Sequence, residues 1–347
     1  MTDGGRLIRN CMKHSSKNKI TFCAYLTGGL LLGIAAVAGI LLGATALEPQ
    51  AVWNAIAEGD WNAPSLRILR YVRLPRVWGS MICGGALAVA GAVIQNVLNN
   101  RLASPSIIGV NAGAGLAVTL CSAAGLLGGW RMSLCSFVGA FGAVVLVSLA
   151  AKKWSASRGT IILMGVALNS LLGAISDAVV TLSPDVGIMT THFRAGDFSS
   201  VTYTGLIPAT AIILLAFGVL MTLSERLEVL TLGEDTARSL GMRTGGARML
   251  FLLLAALLAG AAVSVCGLLS FVGLLVPHAV RRTVGSGTRH LIPLCALFGG
   301  GFVTLCDTLS RVIFAPYEVP VGILLAFLGA PFFIFVLIRG KGGEHHA

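Results

Sequence analysis

The groups in this chain that could do chemistry are few and lie in three places. A polar insert, TLGEDTARSLGMR (Thr231 to Arg243), separates two long apolar runs; Arg67, Arg70, Arg73 and Arg76 crowd one short segment; and Asp177 and Asp307 are the acids that fall inside apolar runs. The chain has no G-x-x-x-x-G-K-[ST] phosphate loop, no H-E-x-x-H, no G-x-S-x-G and no dinucleotide fingerprint, so it reads neither as an ATP binder nor as an enzyme with an activated nucleophile. Two scattered acids are too few for the proton relay of an ion-coupled pump. In the insert, Gly233-Glu234-Asp235 at the start and Arg238 further on suit the dipole of a short helix, and Leu232, Leu240 and Met242 give it an apolar side. Such a helix can seat in a groove on a soluble partner. The alternative is a solvated loop lying on the bilayer.

The elements that must position these groups are set by hydropathy. The chain is 56% hydrophobic and 11% charged, with mean hydropathy +0.87, and long apolar runs recur throughout. In hydrocarbon every backbone N–H and C=O needs an internal partner, so runs of this length become helices, whereas a barrel shows short alternating segments. The fold class is all-α, a polytopic membrane protein with about ten transmembrane helices. The spans are expected at roughly 22–46, 77–98, 106–128, 132–150, 160–182, 205–223, 248–268, 271–284, 291–312 and 319–338, each end uncertain by about four residues. The first is basic and then apolar, yet too long for a secretory signal. Segment 47–76 has room for at most a short interfacial helix. One transmembrane domain, 1–347, is the economical division, with a basic tail at 1–21, the polar helix at 231–243 and a second tail at 339–347.

Lys and Arg resist translocation, so their distribution sets orientation. With the N-terminus in the cytoplasm, 18 of the 25 basic residues fall inside. The other seven are Arg131, Arg194, Arg311 and the four of the 67–76 segment, and that cluster runs against the usual bias. The net charge of +11 is dispersed over several segments without a basic stripe, which argues against nucleic acid. The eight cysteines never form C-x-x-C and mostly lie in apolar runs, so they read as packing residues and not as metal ligands or disulfides. Small-residue runs such as GGALAVAGA (Gly84 to Ala92) and AGAAVSVCG (Ala259 to Gly267) predict closely approaching helices.

Five segments in order give the chain a resemblance. They are VRLPRVWGSMICGGALAVAGAVIQNVLNNRLASPSIIGVNAGAG (Val72 to Gly115), ILMGVALNSLLGAISD (Ile162 to Asp177), LTLGEDTARSLGM (Leu230 to Met242), SFVGLLVPHAVR (Ser270 to Arg281) and EVPVGILLAFLGAPFFIFVLIR (Glu318 to Arg339). With them the sequence resembles the FecCD-type permeases of type II ABC importers, which carry iron-siderophores, haem and vitamin B12. The resemblance covers nearly the whole chain beyond the first span. It implies a BtuC-like ten-helix subunit in the bacterial or archaeal cytoplasmic membrane, both termini in the cytoplasm. It pairs there with a second copy or paralogue, two ABC ATPase subunits and an outer substrate-binding protein. No cofactor or metal is implied for this chain; ATP and magnesium are used by the partner ATPase.

Site roles follow from the same resemblance, residue by residue. Gly233, Glu234, Ala237, Arg238 and Gly241 look like the ATPase-coupling helix. Arg73, Arg76 and Arg311 match arginines that face acidic residues of the binding protein, against the simpler reading that guanidiniums meet lipid phosphate. Asn100 and Leu102, with Ser155, Ala156 and Ser157, match the cytoplasmic gate. There the family's usual Asn-Pro-Leu is replaced by Asn100-Arg101-Leu102, and Ala156 stands where a hydroxyl residue is common. Gln95, Asn96, Asn111, Asn169, His192 and Arg194 are the candidates to touch cargo; buried amides in membrane helices more often bond helix to helix, and an outer-loop histidine is more often solvated. The reading is an importer permease for an iron chelate, a ferric siderophore ahead of haem and a corrinoid. An ion-coupled secondary transporter and a non-transporting membrane scaffold are the readings from other classes.

Overall fold

The computed structural model describes residues 4–43, 49–126, 128–154 and 156–341, and among these every regular element is a helix. Among the described residues seven helices are long and apolar enough to cross a membrane: Lys19–Leu41, Pro64–Leu98, Gly129–Lys153, Arg158–Leu182, Tyr203–Thr222, Thr244–Cys266 and Thr288–Val312. Shorter helices Val110–Ala123, Val272–Val284 and Val321–Lys341 occupy the remaining three expected spans. In chain order the helices are α1 (Gly4–Leu41), α2 (Pro49–Ala57), α3 (Pro64–Ile68), α4 (Leu74–Leu98), α5 (Val110–Ala123), α6 (Gly129–Lys153), α7 (Arg158–Leu182) and α8 (Pro184–Ala195). Then come α9 (Tyr203–Thr222), α10 (Ser224–Thr231), α11 (Glu234–Ser239), α12 (Thr244–Cys266), α13 (Val272–Val284), α14 (Thr288–Val312) and α15 (Val321–Lys341). A π-helical turn, Leu69–Arg73, joins α3 to α4.

Segment 47–76, expected to hold at most one short interfacial helix, holds two, α2 and α3, and further short helices lie outside the expected spans. The 184–195 stretch, expected as an outer loop, is α8, opened by Pro184 at its first turn and closed by Gly196 at φ +75°. Residues 224–231 form α10. Both are too polar to register as membrane spans, although their punctuation is readable.

Helix α4 is the axis of the bundle: it packs against α12, α13 and α14, and most of it is buried. Its small-residue run makes this possible. A Cβ on Gly84 would stand 2.5 Å from the Gly299 carbonyl oxygen of α14, and one on Gly91 would run into the backbone of Gly273 in α13. Backbones in contact gain dispersion where lipid offers no hydrophobic drive for helix pairing. Overpacking costs about 1–3 kcal/mol where side chains can shift, and backbone cannot. Gly91→Val should therefore abolish a monodisperse chromatographic peak in detergent, whereas Gly142→Ala, where added carbon meets nothing within 4 Å, should leave it unchanged.

One cysteine expectation is overturned. Cys121, near the end of α5, and Cys135, near the start of α6, form a disulfide. The turn between these antiparallel helices brings together two residues 14 apart, a pairing that no short-spacing rule detects. Denatured, alkylated protein should show two fewer reactive thiols without reductant than with it by intact mass; equal numbers would refute the bridge.

Candidate functional site

The polar groups gather at the two ends of the bundle, here called the Arg76 face and the Glu234 face. At the Arg76 face, α1, α4 and α14 end or begin together. The last four carbonyls of a helix lack intrahelical partners and carry its negative dipole end. At the end of α1 these are met by guanidiniums: Arg73 donates to Ile40 O and Leu41 O (2.7 Å for the latter), and Arg311 to Gly39 O and Leu42 O (3.3 Å each). Arg76 Nε lies 3.1 Å from both Asp307 oxygens, its Nη2 3.0 Å from Oδ1, and its Nη1 2.7 Å from Glu318 Oε2. Arg311 Nε reaches Asp307 Oδ2 at 3.3 Å. Asp307, fully buried, is thus clamped between two arginines from different helices.

The three arginines expected to face a binding protein are only 3–4% exposed. The guanidiniums point inward, toward the α1 carbonyls, Asp307 and Glu318. Glu318 precedes α15 by three residues and pairs with Arg76. Arg67 and Arg70 are among the exposed charges on this face, and the Glu318 side chain is about one-third exposed. Asp197, which the sequence did not single out, extends the array, 3.9 Å from Arg76 Nη2 and 3.4 Å from His192 Nδ1. Its backbone N–H binds Cys266 O at the end of α12, and Gly322 N–H binds Gly196 O, so the ends of α8 and α12 and the start of α15 converge there.

Of the expected cargo contacts, most are engaged in holding helices together. Gln95 Nε2 donates to Gly273 O (2.9 Å), and Arg281 of α13 donates to the side-chain oxygens of Gln95 and Asn96 (2.9 Å for Asn96). Asn169 Nδ2 donates to Ser106 O and Ile107 O at 2.8 and 3.1 Å. Gln95 and Asn96 are buried, and their bonds run between helices, the role that buried amides in membrane helices more often take. Arg194 and Asp177 pair at 2.8 Å near the ends of α8 and α7, and the Asp177 side chain is well exposed, not an acid within the bundle. Asn111 is half-buried at the start of α5. His192 is largely exposed and lines, with Asp197, Phe193 and Ser133, a cavity of about 520 Å³.

At the Glu234 face the insert is a helix, α11. Gly233 (φ +110°) and Gly241 (φ +81°) bracket it in conformations that a β-carbon disfavours, and Ala237 is completely buried beneath it, where only a small side chain fits. Leu232 and Leu240 are exposed by 60% and 64%, so the apolar side is unused within the chain; Met242 packs against the core. Glu234 binds Arg238 Nη2 and Arg248 Nη2, each at 2.8 Å, and accepts from Thr244 Oγ1 at 3.3 Å. Burial works to raise the Glu234 carboxyl, but Arg248 and then Arg238 outweigh it and hold it below the ordinary carboxylate range.

The expected gate residues lie at this same end. Ser157 caps α7, accepting the Thr160 N–H at 3.2 Å, and the Ala156 carbonyl accepts from Arg248 Nη1 at 3.1 Å. Ser155 lies outside the described residues. Asn100 closes a tight turn on the Leu102 N–H (2.9 Å), leaving the Leu102 side chain 44% exposed. Arg248 and Arg158 are the residues here that the sequence reading missed; each lies just inside a helix start and looks like an ordinary basic flank of a span.

Fold and site together define a polytopic helical membrane protein, with charged clusters at its two ends and a short polar helix at one of them. The FecCD transport family matches residues 8–339. The chain is 33% identical over 332 residues to the Bacillus subtilis (strain 168) iron-uptake system permease protein FeuB, covering 92% of this chain and 96% of that one. It is 32% identical over 318 residues to the Yersinia pestis hemin transport system permease protein HmuU, covering 90% and 94%. It also resembles a solved inward-facing conformation of a transporter assigned to the metal-chelate type of ABC transporters, with TM-score 0.78, 28% identity and coverage of 93% and 99%. The chain belongs to the FecCD transport family and is an ABC transporter permease.

Proposed function

We propose that this chain is the membrane permease of an ABC importer for an iron chelate, a ferric siderophore first, with haem or a corrinoid as the alternatives. The observation that carries the reading is α11: a short charged helix anchored on the bundle through Glu234, with Leu232 and Leu240 presented to a partner. ATP and magnesium belong to the two ATPase subunits that seat there, and this chain holds neither. The Glu234 face is then cytoplasmic, along with both termini, in the cytoplasmic membrane of a bacterium or archaeon, and the whole chain acts as one transmembrane domain. A second permease copy or paralogue completes the path; α7, whose apolar face is largely uncovered, supports such a pairing.

Docking of a substrate-binding protein remains assigned to the Arg76 face. The exposed rim of Arg67, Arg70 and Glu318 supplies the contacts, and buried Arg73, Arg76 and Arg311 serve by holding that rim in place. Charge complementarity there sets docking rate and register. The iron and hemin names of the relatives support the cargo class. An ion-coupled transporter gains no support, since Asp307 is locked between two arginines.

The test is uptake of labelled ferric siderophores, haem and cobalamin, in parallel, by cells deleted for this chain and then complemented. Loss and rescue for a siderophore alone supports the reading; rescue for haem or cobalamin alone moves the cargo to an alternative. Uptake that persists in ATP-depleted cells while an ion gradient is maintained would overturn the ABC reading.

A further inference from the structure

We propose that Arg248 is the positioning residue through which movement of the Glu234 helix reaches the junction between α6 and α7, an inference that rests on the ABC permease reading above. The side chain lies in the first turns of α12, 12% exposed. Its two terminal nitrogens have different targets: Nη2 binds Glu234 Oε2 at 2.8 Å, and Nη1 binds the Ala156 carbonyl at 3.1 Å. A guanidinium is a rigid planar fork, so fixing one nitrogen aims the other.

What it grips is the connection between α6 and α7, at Ala156. The Ala156 N–H still closes the end of α6 on Ala151 O (2.8 Å), while the next residue, Ser157, caps α7. Displacing the Ala156 carbonyl therefore moves the point where two membrane helices meet. A second tie runs in parallel, from Arg158 Nη2 in the first turn of α7 to Leu230 O (3.3 Å), just before the insert. The junction is thus fastened on both flanks to segment 230–234. Between these elements lies a cleft of about 410 Å³, lined by Lys152, Ala156, Glu234 and Arg248, which leaves room for the parts to move. The Asn100–Leu102 turn, by contrast, is closed on itself by its own asparagine.

The test uses the full chain purified with the ATPase subunits that accompany it and reconstituted in liposomes. An A156C thiol is labelled with maleimide in the nucleotide-free and ATP–vanadate-trapped states, and labelling at that position is read by mass spectrometry. The labelling rate should differ about threefold or more between the two states, and R248Q should abolish that difference while ATP hydrolysis persists. R248K should abolish it too, because one ammonium cannot reproduce the fork; it decides the question if R248Q fails to elute as a folded complex. Retention of the difference in R248K, or its absence with Arg248 intact, overturns the relay. Failure of the Arg248-bearing chain to bring down any ATPase is seen before any variant is made and overturns the ABC reading, and the relay with it.

Discussion

Replacing Asp307 with Asn is expected to destabilise the bundle by about 3–5 kcal/mol, the cost of leaving a buried ion pair without one partner. The substitution keeps the shape of the side chain and removes its charge. Arg76 and Arg311, each 3–4% exposed, would then share no carboxylate between them; Arg76 keeps Glu318, and Arg311 keeps only backbone and hydroxyl oxygens. Unfolding of the purified chain by SDS in mixed micelles measures this directly. Glu318→Gln is the control: its carboxylate is 35% exposed and screened, so its loss should cost no more than about 1 kcal/mol. If Asp307→Asn behaved like Glu318→Gln, the clamp would not be holding α4 to α14.

The second large effect is expected at Glu234, and in function rather than stability. Glu234→Ala removes two charge-assisted hydrogen bonds, to Arg238 and Arg248, and the one from Thr244. With those ties gone α11 can move without carrying α12 along, so cargo imported per ATP hydrolysed should fall severalfold while ATP hydrolysis continues. The measurement is paired uptake and phosphate release in liposomes. Unchanged coupling would refute the role of α11. The pH dependence has a defined sign. A carboxyl held low in the folded state contributes fully above its unfolded value and loses that contribution as pH falls through the folded one. Between about pH 6 and 8 the pair therefore stays intact, and uptake should show no titration from this group.

These two residues illustrate what could be read in advance. Glu234 was legible because a polar helix signature between two spans has no purpose in lipid, so local pattern alone singles it out. The helices were legible for a related reason: lipid forces backbone pairing within each segment, which makes hydropathy a local readout of fold. Glycine runs likewise foretold close helix contact, though not that Gly91 meets Gly273.

Asp307 was visible only as an isolated acid, and the arginines of the 67–76 segment only as an excess of charge on the wrong side. Their meaning depends on partners far away in sequence: Arg76 finds Asp307 and Glu318, and Arg73 finds the end of α1. The Cys121–Cys135 bridge and the Arg248 link from Glu234 to Ala156 are of the same kind. By itself, then, the sequence determined the solvent, the helices and the short polar helix between two spans, because each is encoded within one continuous segment, and the family, because five such segments recur in order. Only the tertiary structure decided which charges face outward and which are buried, because electrostatic pairing is a property of distance in space, and helices crossing a membrane place residues hundreds of positions apart within a few ångströms.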